Sequence, residues 1–161
     1  MSPAERWLSG VLRILAVPVL LALPCALLPV AWMDATHRWL GLGALPVAPI
    51  VEYLARSASL LYGFHGLLML LVASDVRRYL PVIWLMGGAG LAFGLTMLIV
   101  DHLAGLPVHW RWLEGTIIMI ESGVILALTR RANHSIQTGT KDWARACSGA
   151  AGDQFEPPVA S

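Results

Sequence analysis

Three runs free of charged side chains, 14–33, 57–74 and 79–100, and a fourth, 112–129, broken only by Glu114 and Glu121, constrain how this chain can fold. Each is close to the ~20 residues that a helix needs to cross a hydrocarbon layer ~30 Å thick. Strands of a membrane barrel would alternate apolar and polar residues, and these runs are continuously apolar. A segment in lipid must satisfy its own backbone hydrogen bonds, so the runs read as helices. Composition agrees: 57% of residues are hydrophobic and 13% charged, against about 25% charged in a soluble domain. Too little charge remains to cover a water-soluble fold of this length, and far too much apolar character for a disordered chain. Net charge of +1 without a basic tract excludes nucleic acid as the main partner.

The expected fold is therefore all-α, an integral membrane four-helix bundle with spans at about 12–33, 50–74, 79–101 and 111–129. This domain, 1–131, precedes a tail, 132–161, whose small and polar composition predicts disorder. Of the 11 Lys and Arg residues, Arg6, Arg13, Arg77, Arg78, Arg130, Arg131, Lys141 and Arg145 fall on one side of such a layout, and Arg38, Arg56 and Arg111 on the other. That bias puts both termini in the cytoplasm, N-in and C-in, in the inner (plasma) membrane. The first span has a rival reading as a cleaved signal peptide, since Arg6 and Arg13 precede its apolar stretch. The length of that stretch and the lack of a small-x-small site after it argue against cleavage.

Local features refine the layout. Ser2-Pro3-Ala4-Glu5 has the form of a capping box with proline at the first helical position. Pro18, Pro24 and Pro29 fall inside the first span and should bend it. Glu52 and Arg56, an i,i+4 pair, put the start of the second span near Pro49. The short turn 75–78 makes the second and third spans antiparallel neighbours, and Gly105-Leu106-Pro107 breaks the chain before the fourth. Helices in lipid associate through close packing, so small residues should mark the seams. Ser59, Gly63, Gly66 and Ala73 form one stripe; Gly87, Gly90 and Gly94 form another. The expectation is that these stripes face each other, or that Gly90 and Gly94 form a homodimer face or join a larger membrane complex.

Chemistry-bearing residues are few. Glu121 falls near the middle of the fourth span, where a charged side chain costs at least ~2–3 kcal/mol. His65 has a matching depth in the second span, with Tyr62 one turn before it. Glu121 and His65 are the candidate catalytic residues, as an intramembrane polar pair. Glu114, one heptad before Glu121, extends a line toward the outer surface, with Arg111 as its expected counter-charge. His37, His102 and His109 gather with Asp101 toward the outer side, but their spacing matches no metal motif, and no metal site is expected. A second intramembrane histidine for haem is missing. Cys25 and Cys147 lie too far apart in the layout to pair, and no C-x-x-C, nucleotide loop or hydrolase motif occurs.

Four spans with both ends inside, the tight turn Asp75-Val76-Arg77-Arg78-Tyr79 and the entry Leu113-Glu114-Gly115 make the chain similar to small bacterial membrane proteins of the DoxX-like type. The resemblance covers residues 12–131 at the level of layout. It implies an accessory or quinone-associated role and transfers no functional residue. Two readings of function follow. One is a small accessory or interaction subunit in the lipid bilayer, without its own catalysis and without a cofactor. The other is a quinone- or lipid-linked membrane enzyme, or a small proton-coupled carrier, working through Glu121 and His65.

Overall fold

A computed structural model describes residues 2–152, and among these the regular structure is entirely helical. Six helices follow in order: α1 (Pro3–Leu20), α2 (Ala22–Cys25), α3 (Val30–Trp39), α4 (Pro49–Ser74), α5 (Leu80–Leu103) and α6 (Val108–Gly152). Four helical stretches, Pro3–Cys25, Pro49–Ser74, Leu80–Leu103 and Val108–Lys141, are long and apolar enough to cross a membrane.

The capping box at the start of α1 is formed. The Ser2 hydroxyl accepts from the Glu5 amide at 3.2 Å, and the Glu5 carboxylate accepts from the Ser2 amide at 2.8 Å. Glu5, Leu8, Ser9, Leu12 and Ala16 then recur at helical spacing on the buried face of α1, while Arg6 and Arg13 stay exposed. Pro18 is accommodated inside α1, but the helix does not continue to 33 as expected. It ends by Cys25, because Pro24 and Pro29 each remove an amide donor, and α3 starts as a separate helix after Pro29. The carbonyls freed at this break are taken by Arg56 of α4, whose guanidinium donates to Ala26 O and Leu28 O while Glu52 holds it at 2.8 Å. The i,i+4 pair read from the sequence thus also closes the proline break.

Two helix ends need glycine. At Gly105 (φ 67°) the amides of Gly105 and Leu106 bond back to His102 O and Asp101 O; at Gly41 (φ 76°) those of Gly41 and Leu42 bond to Arg38 O and His37 O. This is the Schellman ending, with glycine in the left-handed conformation.

The packing order departs from the expected one. α1 packs against both α4 and α6, and α5 packs against α6, whereas α4 and α5 scarcely touch beyond their shared turn. Consequently the two glycine stripes do not meet. A Cβ on Gly63 would overlap Leu23, and one on Gly66 would come within 2.8 Å of Leu20, so the α4 stripe seats the α1–α2 segment. The α5 stripe seats α6: Gly87 lies against Leu126, Gly90 against Ser122, and Gly94 against Met119 and the Gly115 carbonyl. Gly90 and Gly94 are thus filled from within the chain.

The core lies toward the end of the bundle that holds the 75–79 turn, and combines Leu8, Leu12 and Ala16 with Met69, Val72, Ala73, Val76, Ile83, Ile125 and Ala132. Ser9 ties α1 to α4 by donating to Ala73 O at 2.7 Å. Arg77 donates to the fully buried Glu5 at 2.7 Å, fixing the α4–α5 turn to the start of α1. α6 continues past 131 into the segment expected as a tail. Ala132 is buried in the core, and Ser135 reaches Ser2 at 3.0 Å, so the helix is held beyond its apolar part and runs on to Gly152. Residues 153–161 of the expected tail lie outside those described.

Candidate functional site

His65 projects from the exposed side of α4, because Gly63, Gly66 and Met69 occupy the side turned to α1 and α2. Glu121 is half-buried on α6, beside Ser122, which faces Gly90, and four residues before the core residue Ile125. Among the described residues neither side chain makes a hydrogen bond or an ion pair, so the structure does not join them as a pair. Depth along a helix was readable from residue spacing; rotation about it depended on which neighbour each glycine stripe would accept.

A second polar group lies where α5 ends and α6 begins. Asp101 is only 4% exposed, and its Oδ2 is buried without a hydrogen-bond partner. It shares the α5 face of Gly94, seven residues earlier, and this face turns toward α6. Glu114 sits within electrostatic reach of Asp101 and of Tyr62 on α4. The expected neutralisation of Glu114 by Arg111 is not made: Glu114 accepts instead from the Trp110 indole N–H at 2.8 Å. Arg111 is left with a buried Nε that has no partner. No group of three or more His, Cys, Asp or Glu side chains able to hold a metal ion occurs among the described residues. In the sequence Asp101 and His102 stand out only as members of the outer-side polar group without a metal motif. The burial of Asp101 comes from the close α5–α6 seam, which no spacing in α5 alone reveals.

Beside this end, α3 and its following loop are tied together by Asp34. Its carboxylate accepts from the Leu45 amide at 2.8 Å and from Arg38 Nε at 2.9 Å. The Leu45 amide, and then Arg38, hold the Asp34 carboxyl below the usual aspartate range. His37 bonds Gly43 O at 2.9 Å, and His109 approaches Leu40 O at 3.4 Å. These imidazoles bind backbone carbonyls.

No family model, no curated protein and no solved structure matches this chain.

Proposed function

We propose that the chain is a multi-pass inner-membrane protein with both termini in the cytoplasm, and that it serves as an accessory subunit that pairs with another membrane protein. Its outward surface supports residence in lipid: Leu61, Phe64, Leu85, Leu95 and Ile120 all stand exposed along the apolar helices, a surface that a soluble monomer rarely presents. The one-sided distribution of Lys and Arg supports the direction.

The observation that carries the accessory role is Glu121. A carboxyl near the middle of an apolar helix, half-buried and without a hydrogen-bond partner among the described residues of its own chain, gains most from a donor on a neighbouring protein. Such a residue costs about 2.5–3.5 kcal/mol in lipid when charged and unmatched. A donor on a second protein removes much of that cost and selects the partner by position.

Purification in mild detergent followed by mass spectrometry tests this reading. A stoichiometric partner that is kept with the wild type, weakened by Glu121→Gln and lost with Glu121→Leu is the expected result. A lone chain whose stability rises in Glu121→Leu would overturn it. The position of His65 on the open face of α4, one turn from the also exposed Tyr62, supports a second reading in which a quinone reaches the chain from the bilayer. Co-purifying quinone that is lost in His65→Ala would select that reading.

A further inference from the structure

A cavity of about 300 Å³ opens between the last turns of α5 and the first turn of α6, lined by Leu98, Ile99, His102, Leu103, Arg111 and Trp112. Its walls are of two kinds. Leu98, Ile99, Leu103 and Trp112 are apolar, and the accessible lining is almost wholly apolar, while His102 and Arg111 are the two ionisable residues on it. Arg111 makes no ion pair with a described carboxylate, and its Nε is buried with no hydrogen-bond partner. A guanidinium with no carboxylate partner gains from an acceptor that reaches its outer, accessible nitrogens.

Charge complementarity therefore asks for an anion, and the four apolar walls ask for a chain attached to it. The nearby carboxyls do not supply the anion: among the described residues neither Asp101 nor Glu114 forms an ion pair with Arg111, and Glu114 is engaged by Trp110. We infer that this cavity binds one anionic phospholipid, its phosphate on Arg111 with His102 beside it and the start of an acyl chain against Leu98, Ile99, Leu103 and Trp112. The inference rests on the membrane reading given above. It adds a defined lipid seat at the end of the bundle opposite the 75–79 turn. A guanidinium fits this task because its planar fork can give two parallel hydrogen bonds to phosphate oxygens. Trp112 fits a boundary position, where an amphipathic ring covers the upper part of an acyl chain.

The test is native mass spectrometry of the full chain in mild detergent, with dioleoylphosphatidylglycerol or dioleoylphosphatidylcholine added in turn. The expected result is one phosphatidylglycerol retained per chain in preference to phosphatidylcholine. Retention should fall about tenfold or more in Arg111→Gln, as expected for loss of a charge-assisted hydrogen bond, and recover in part in Arg111→Lys. Arg38→Gln removes a cation outside the cavity and should leave retention unchanged. Circular dichroism confirms that each variant is helical. Equal retention of both lipids, or an Arg111→Gln variant that binds like the wild type, would overturn the seat while leaving membrane residence intact. Displacement of the lipid by a quinone at equal concentration would overturn the choice of ligand. Failure of the chain to enter the membrane fraction would instead remove the reading on which the inference stands.

Discussion

At the scale of single residues, Gly94 and Gly115 meet backbone to backbone. A Cβ on Gly94 would stand 2.8 Å from the Gly115 carbonyl oxygen, and one on Gly115 would stand 2.6 Å from that of Gly94. Backbone cannot swing aside as a flexible side chain does. Gly94→Ala is expected to cost about 1–3 kcal/mol of stability through overpacking. Gly88→Ala, in open space on the same helix, should be neutral or slightly stabilising because alanine is the better helix former. Melting temperatures in one detergent compare the two directly. Both glycines stand in the same apolar run of the sequence, and only the position of α6 separates the one that is crowded from the one that is free. The same limit applied to the candidate site. The places of Glu121 and His65 along their helices are legible because they interrupt apolar runs, but the buried oxygen of Asp101 and the unused Nε of Arg111 are not, since both arise where two helices meet.

At the scale of elements, the sequence was most informative where a local rule acts alone. The capping box at Ser2, the start of α4 at Pro49 and the break at Gly105 all appear as read, because each is decided by a few neighbouring residues. The first apolar run is divided before its far end. Hydropathy alone carries it to 33, while the prolines end it by Cys25 and release α3 as a separate piece. That piece has its own electrostatic tie. Asp34 is held below the usual aspartate value by the Leu45 amide and Arg38, so its contribution is fully present above an ordinary value of about 3.9. It is lost as pH falls through the lower value of the folded chain. Limited proteolysis between 40 and 48 should therefore accelerate in strong acid, below about pH 4. Asp34→Asn should cleave faster at neutral pH and show little further change on acidification.

At the scale of the whole molecule, four apolar helices and their small-residue stripes were legible, but the pairing was not. A tight turn suggests that the helices it joins pack along their length, yet α4 and α5 part and α1 fills the place beside α4. Stripe composition says that a helix accepts a close neighbour without saying which one. The bundle thus consists of α1–α2 with α4 and of α5 with α6, connected across α1 and α6. Fragments 1–76 and 77–161, co-expressed with a tag on one, should co-purify from detergent extracts. Ser9→Leu, which removes the bond to Ala73 O and crowds α1 against α4, should weaken the first half more than the second. Recovery of the tagged fragment alone, with its partner stable in the same membranes, would contradict this division.

The seat that α6 provides for α5 also bears on the order of synthesis. When α5 leaves the ribosome it has little to lean on, since α4 is already occupied by α1 and its own companion is still unmade. On the membrane reading α5 finds its packing surface only once α6 has emerged, so the two are expected to settle together as a hairpin. A stop placed between them would leave an orphan helix for quality-control proteases.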